Sequence, residues 1–409
     1  VSGNSRPPGR FDRKIVYVIA AYPDLTKTFI DREILEAKRL GLDLKLVAIQ
    51  RPPNQAFPPE VRDLMRDTTY LRPCSIVAMA RAHLRCLRND FRTYVGTLWH
   101  LVTRSHPTFA SRLKTVVHFC EGVFAAWLLR RAGIDHVHAH FADRATVIAI
   151  VISRLLRVPY SVTVHAYDIY KEPVFLLDKL RNARFATTCT AFNKAHLDRE
   201  TTGEIELIYH GLDFRSFPEV VPRPSTPPLI LSVGRLQKKK GFSFLVRALS
   251  QMKAAGQDFR CEIIGEGPER ASLSQLIAES GLDGLVLLSG ALPNAEVMGR
   301  YPCASVFVMP SRIAEDGDRD GIPNVILEAM AFGLPVVSTN VSGIPEVVHN
   351  RETGILIEPA DSQALAAAIT ELLQDRELAS RVGAKAATFV RSRFDIRRNV
   401  SRLVELLHE

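Results

Sequence analysis

Short β-branched segments alternate with helix-length segments along this chain, halt at a proline-rich break, and then begin again. In the first half the strand candidates are Lys14 to Ala20, Leu44 to Ile49, His136 to Ala139, Tyr160 to Val164, Phe185 to Cys189 and Ile205 to Tyr209. Helical stretches such as Ala142 to Leu156 separate them, and Thr28 with Asp31 has the pattern of a capping box opening a helix that stops at Gly41. Pro218, Pro222, Pro224, Pro227 and Pro228 cannot form the interior of a regular element. The alternation resumes at Leu229 to Val233 and continues through Cys261 to Ile264, Val286 to Ser289, Val306 to Met309, Pro335 to Ser338 and Gly354 to Ile357. Strand–helix alternation means a parallel sheet with crossover helices. The expected fold class is therefore α/β, with two doubly wound Rossmann-like domains facing each other and ligand bound in the cleft beyond the carboxyl ends of the strands.

A length of 409 residues suits two such domains, each large enough for its own core. The polar stretch over 1–12 reads as a disordered leader, and 216–228 as the linker between a first domain over 13–215 and a second over 229–393. No apolar run reaches the roughly 18 residues of a membrane span; Ala145 to Ile152 is bounded by Arg144 and Arg154. With no apolar signal core at the start, a cytoplasmic location is expected. Six cysteines without C-x-x-C spacing point to reduced thiols and no zinc site. Neither domain has a G-x-G-x-x-G loop or a Walker A lysine loop, which argues against a nicotinamide dehydrogenase and an ATPase.

A net charge of +9 calls for an anionic partner: a nucleotide diphosphate, a membrane surface or a nucleic acid. No nucleic-acid-binding module accompanies the charge. The charge is uneven. From Ser75 to Cys120 the sole acid is Asp90, while Arg81, Arg85, Arg88, Arg92, Arg104, Arg112 and Lys114 all fall there. Leu84, Leu87, Phe91, Tyr94, Leu98 and Trp99 recur among them at near-helical spacing. Two readings stand open: a solvated face whose apolar stripe enters the core, and peripheral contact with anionic lipid or a lipid-linked acceptor.

The segment from Asp320 to Val337 carries the chemistry. Pro323 suits a helix start, Asn324 to Ala331 is good helix-forming sequence, and Gly333 with Pro335 ends it. Asp320 thus precedes the helix and Glu328 lies within it. Free N–H groups of Gly321, Ile322 and Asn324 near the helix start would favour a phosphate. Arg235 and Lys240 fall in the loop after the first strand of the second domain, where Gly234 and Gly241 permit close backbone approach. Lys238 and Lys239 read as solvated. His165 follows the strand Tyr160 to Val164 and sits at a strand end; His136 and His138 alternate on a strand and could equally line the core.

The Asp320-x7-Glu328 segment closely resembles the E-x7-E signature of retaining family-four glycosyltransferases of the GT-B fold, with Asp320 in place of the first Glu. Further matches are Val233-Gly234-Arg235-Leu236, Lys240-Gly241-Phe242, Ile264-Gly265-Glu266-Gly267-Pro268, Phe307-Val308-Met309-Pro310-Ser311 and Gly343-Ile344-Pro345-Glu346. In the first half, Thr28-Phe29-Ile30 with Glu33, His138-Ala139-His140-Phe141 and Thr163-Val164-His165-Ala166-Tyr167-Asp168 resemble the colanic-acid and exopolysaccharide branch.

The resemblance implies transfer of a sugar, with retention, from a nucleotide diphosphate-sugar to a hydroxyl of a glycan, glycolipid or small molecule; no residue presents itself as a covalent nucleophile, so front-face attack is expected, with the leaving phosphate accepting the acceptor's proton. It implies that Arg235 and Lys240 bind the diphosphate in place of a metal, Glu328 the ribose hydroxyls and Asp320 the donor sugar. Gly234, Gly265, Glu266, Gly321, Ile322 and Asn324 would complete the nucleotide-sugar cradle. His165 would contact the donor sugar, with His140 and Asp168 as weaker candidates, and the turn near Pro23 and Thr28 would admit the acceptor. No cofactor beyond the donor substrate is implied, although Asp316-Gly-Asp318-Arg-Asp320 contains overlapping D-x-D patterns. A helix over 394–409 would cross back to the first domain. A nucleotide-sugar 2-epimerase and a non-catalytic nucleotide-sugar sensor are the competing readings of the same architecture.

Overall fold

The computed structural model describes residues 13–24, 27–52, 57–218 and 225–409. The leader expected over 1–12 lies outside the described residues, as do 219–224 of the expected linker and Leu25 and Thr26 of the turn near Pro23. Two compact units make up the chain. The first runs to Cys189 and takes in Asn193–Gly211 and Ile396–Glu409; the second comprises Thr190–Phe192 and Leu212–Asp395.

The first unit holds a seven-stranded, wholly parallel sheet: β1 (Lys14–Ala21), β2 (Asp43–Gln50), β3 (Thr69–Arg72), β4 (His136–His140), β5 (Tyr160–Val164), β6 (Ala186–Thr188) and β7 (Ile205–Leu207). Their order is β3-β2-β1-β4-β5-β6-β7, so the chain works outward from β1 to one edge, returns, and works outward to the other. This doubly wound order puts a topological switch point between β1 and β4. The strands are buried on both faces, which is why their sequences are continuous and β-branched, not alternating. The closing helix Ile396–His408 packs its buried face, Ile396, Val400, Leu403 and Leu407, in one apolar cluster with Ile30, Ile34 and Ala37 of the helix Thr28–Arg39.

The second unit repeats the scheme with six parallel strands: β8 (Leu229–Val233), β9 (Arg260–Ile264), β10 (Val286–Gly290), β11 (Val306–Met309), β12 (Val336–Thr339) and β13 (Ile355–Ile357), in the order β10-β9-β8-β11-β12-β13. Its switch point lies between β8 and β11. Thus the α/β class holds, with two Rossmann-like parallel sheets.

Several local expectations need correction. No side-chain cap opens the helix Thr28–Arg39, and Asp31 is buried instead of closing a capping box. β6 and β7 are shorter than their sequence runs, and β3 was not anticipated because Thr69–Arg72 carries only one fully buried side chain. Between Ser75 and Cys120 lie three helices, Ile76–Asn89, Phe91–Thr103 and Phe109–Leu129. Their apolar stripe does not simply enter the core, since Leu84, Phe91 and Trp99 are exposed.

Candidate functional site

In the second unit the loops at the carboxyl ends of β8, β9 and β10 are stitched together by backbone hydrogen bonds. Gly234 N–H donates to Ile264 O at 2.9 Å, Leu236 N–H to Glu266 O at 2.9 Å, and Gly265 N–H to Gly290 O at 2.8 Å. Gly265 has a φ of 149°, and a Cβ there would strike Gly234 O; Gly241, at φ 69°, lies against Pro310 O with the same consequence. Only glycine allows this approach, so the loops after β8, β9 and β11 converge on one strand-end surface.

Onto that surface project charged side chains. Lys238–Lys240 forms one 3₁₀ turn, which aims Lys239 and Lys240 at the segment before the helix Asn324–Ala331. Lys240 Nζ lies 2.8 Å from Asp320 Oδ2, and Lys239 Nζ lies 3.0 Å from Asp318 Oδ1 and 3.6 Å from Asp320 Oδ1. Ser311 Oγ donates to Asp320 Oδ2 at 3.3 Å. Burial alone would raise the Asp320 carboxyl; Lys240 and then Lys239 outweigh it and hold the group below the ordinary carboxylate range. Asp320 is therefore an anion wedged between two ammonium groups. Arg235, by contrast, is exposed. Glu328 is buried on its helix, where it accepts a hydrogen bond from the Tyr301 hydroxyl at 3.1 Å. Glu266 is engaged by Arg270 at 2.7 Å.

The first unit has its own strand-end cluster, of different character. His165 follows β5 and precedes the one-turn helix Ala166–Tyr170; its backbone N–H donates to Asp168 Oδ2 at 2.9 Å. The imidazole packs against Phe141 (ring centroids 4.1 Å apart), Phe29 (5.3 Å) and His210 (5.3 Å). Its Nδ1 lies 3.9 Å from the Cys189 thiol, while Nε2 is buried without a hydrogen-bond partner among the described residues. Burial, with His210 and His140 next in weight, pushes the ring well below its ordinary pKa, so it is neutral at pH 7. An unpaired buried imidazole nitrogen costs on the order of 1–3 kcal/mol, so Nε2 of His165 has the capacity for one further hydrogen bond.

The neighbouring histidines each have one nitrogen in the same state, since Nδ1 of His136 and His140 and Nε2 of His210 are also buried without a hydrogen-bond partner among the described residues; their other contacts lie within the unit. His136 and His138 share the Ser161 hydroxyl at 2.7 and 2.8 Å, and His138 reaches Thr163 at 3.0 Å, so both line the core. His140 meets Glu33 at 3.0 Å. Asp168 is buried near Asp143, and burial together with that like charge raises its carboxyl. The buried Lys179 offsets both, donating to the carbonyls of Ala142 and Asp143. This network anchors the turn at Phe141, which adopts a left-handed φ of 72° beneath the histidine.

Residues 213–389 match the family described as glycosyl transferases group 1. That stretch is the part of the chain similar to group 1 glycosyltransferases. The chain is 43% identical over 157 residues, 38% of its length and 39% of the relative's, to WcaL of Escherichia coli, a glycosyltransferase named for colanic acid biosynthesis. It is also 43% identical to the amylovoran biosynthesis glycosyltransferase AmsK of Erwinia amylovora, over 36% of each chain. The chain thus spans about two-fifths of the length of these curated relatives. Across 97% of its length it shares its fold with a glycosyltransferase structure from Rickettsia africae, at a TM-score of 0.72 and 18% identity.

Within residues 213–389 the geometry brings together Lys240 and Asp320, and separately Gly234 with Gly265. Gly321, Ile322 and Asn324 occupy the approach to the Glu328 helix, with Pro323 at its cap position. Lys239 departs from its expected solvated role, because the 3₁₀ turn places it beside Asp318 and Asp320. Sequence reasoning missed Tyr301 here, and Lys179 and His210 in the first unit; it named Asp318 only within the D-x-D pattern and Ser311 only within a motif, without their partners Lys239 and Asp320. Tyr301 and Lys179 carry no local signal, because segments distant in the chain place their partners; Ser311, directly after the Met309-Pro310 strand end, offered one.

Proposed function

We propose that this protein is a retaining glycosyltransferase that moves a hexose from a nucleotide diphosphate-sugar to an acceptor hydroxyl, in exopolysaccharide, glycolipid or other glycoconjugate synthesis. The Lys240–Asp320–Lys239 cluster at the glycine-packed strand ends of the stretch similar to group 1 glycosyltransferases carries this reading. A departing diphosphate gathers negative charge as the glycosidic bond breaks, and cations fixed where that charge develops lower the barrier. Lys240 and the exposed Arg235 have the required charge. Asp320, held as an anion, keeps Lys240 extended toward the strand ends and has acceptor oxygens for sugar hydroxyls; Glu328 has acceptor oxygens for ribose hydroxyls. Backbone N–H groups of Gly321, Ile322 and Asn324 would complete the cradle, beside Gly234, Gly265 and Glu266.

His165 is assigned to the donor sugar. A neutral imidazole with an unpaired nitrogen can exchange one hydrogen bond with a sugar hydroxyl without shedding a proton. No side chain is needed as covalent nucleophile, so the leaving phosphate takes the acceptor's proton. The reaction is assigned without a metal: Asp318 and Asp320 already face ammonium groups, and those lysines supply the countercharge a divalent ion would bring to a diphosphate.

The test is incubation with a panel of nucleotide diphosphate-sugars, first by thermal shift and then by product analysis with an oligosaccharide acceptor. A stabilising donor, transfer that persists in EDTA, and an anomeric configuration unchanged by NMR are expected. Release of free nucleotide and a C2-epimerised sugar without acceptor would replace this reading with an epimerase; nucleotide-sugar binding without turnover would make the protein a sensor.

A further inference from the structure

We propose that the outward faces of the three helices Ile76–Asn89, Phe91–Thr103 and Phe109–Leu129 form a docking surface for an anionic lipid bilayer. Each helix is apolar on two sides. Inward, Ala82, Thr97, Leu101, Thr115 and Phe119 are buried, and Tyr94 and Leu98 pack on the core. Outward, a second apolar set remains: Val77 and Leu84 on the first helix; Phe91, Val95 and Trp99, four residues apart, on the second; Phe109, Leu113 and Val117, again four apart, on the third. Nine of the thirteen large apolar side chains exposed among the described residues fall between Ile76 and Val117, with Trp99 69% and Phe109 80% exposed. A concentration of this kind marks an interaction surface.

Charge selects the occupant. Arg81, Arg85, Arg88, Arg92, Arg112 and Lys114 are exposed beside these apolar stripes, and none of the six is ion-paired among the described residues. Arg104 is neutralised by Asp178 at 3.0 Å. The region's acid, Asp90, accepts from Thr93 N–H at 3.0 Å and pairs with Arg157 at 3.0 Å, so it leaves the six cations uncompensated. A second copy of the chain would set this face against itself, cations on cations, which opposes self-association. An anionic membrane satisfies both features: aromatic and aliphatic side chains enter the headgroup boundary while arginines meet lipid phosphates. The surface lies on the first unit and is independent of the nucleotide-sugar assignment.

The chain has two tryptophans, Trp99 and Trp127, so Trp127→Phe leaves Trp99 as sole reporter. With this variant, vesicles of phosphatidylglycerol and phosphatidylcholine should shift Trp99 emission to the blue and sediment the protein, and both effects should fade as salt is raised. Pure phosphatidylcholine should do neither. Arg81, Arg85, Arg88 and Arg92 changed together to Gln should lower partitioning several hundredfold, about fivefold per charge, with the melting temperature retained. Phe91→Ser with Trp99→Ser should weaken sedimentation further. Three results would each overturn the proposal: no sedimentation or emission shift on anionic vesicles at low salt, equal binding to both vesicle types, or binding unchanged in the four-Gln variant. A salt-resistant dimer abolished by Phe91→Ser with Trp99→Ser would reassign the face to a protein interface.

Discussion

The two strand-end clusters of this chain solve the problem of placing polar groups at a sheet terminus in opposite ways. In the second unit, Lys239, Lys240, Asp318 and Asp320 are opposed charges that compensate one another in a largely buried cluster. In the first, His165 is stripped of charge by burial among Phe29, Phe141 and His210, and the titratable groups Asp143, Asp168 and Lys179 are each shifted by burial toward their neutral forms. An opposed ion pair can be reopened by a diphosphate that competes for the lysines. A neutral buried imidazole cannot supply charge, but it can supply one directed hydrogen bond in a dry setting, where such a bond is strongest. The contrast argues for charge stabilisation by the first kind of cluster and orientation by the second.

Removing the cations should break this contrast most severely. Arg235→Ala and Lys240→Ala should each lower turnover by about 100- to 1,000-fold, the magnitude for loss of one group aimed at developing charge. Arg235→Ala should leave the melting temperature unchanged because its side chain is exposed, whereas Lys240→Ala also weakens the Asp320 pairing and should lower it. Wild-type rates in both would dissolve the diphosphate assignment. Next in size, Glu328→Gln should weaken nucleoside diphosphate binding by about 1.5–3 kcal/mol in calorimetry, the range for hydrogen bonds to a charged group. Unchanged affinity in a folded variant would take Glu328 out of the site.

His165→Ala sharpens the comparison from the other side. Transfer should fall by about tenfold while nucleotide affinity holds, because an orienting group acts on the sugar and not on the phosphates. A variant that loses melting temperature and activity in proportion would reduce His165 to a packing residue.

The smallest effect is in pH. Burial holds His136 down to about 3 and His210 to about 4, against about 6.5 in the unfolded chain. Between those values the unfolded state binds more protons, so their contribution is whole above pH 6.5 and is lost as pH falls toward about 4 for His210 and about 3 for His136. Asp31, raised to about 7 by burial, acts in the opposite sense and offsets part of the loss. Asp320, held low, contributes stability that persists until pH drops below about 4. Hydrogen exchange from pH 7 to 5 should therefore show modest loosening of β4 and β5 with no change around the helix Asn324–Ala331. His210→Phe should flatten that loosening and Asp31→Asn should steepen it; equal pH sensitivity in both regions would contradict the contrast.

Much of the architecture was legible in the residues themselves. Continuous Val/Ile runs, helix-length spacers and the proline break specify two parallel α/β sheets, because strand burial on both faces and crossover helices leave a direct imprint on composition. The stop at Gly333 and the helix from Asn324 are local events, written in local sequence. The glycine-linked loops were legible as far as their flexibility, since only glycine accepts the conformations of Gly241 and Gly265. What each charged side chain meets was not. Lys239 and Lys240 are neighbours of Asp318 and Asp320 only because strands whose paired residues, such as Ile230 and Val306, are 76 positions apart in the chain end side by side. Lys179 reads as an ordinary helical lysine until its helix is docked over the Phe141 turn. The apolar residues of the three helices could not be sorted into core and surface by periodicity, because both faces of each helix carry an apolar repeat. Periodicity and glycine act within a few residues and so are properties of sequence; burial and ion pairing depend on which distant segments the packed sheet brings together, and only the tertiary structure decided them.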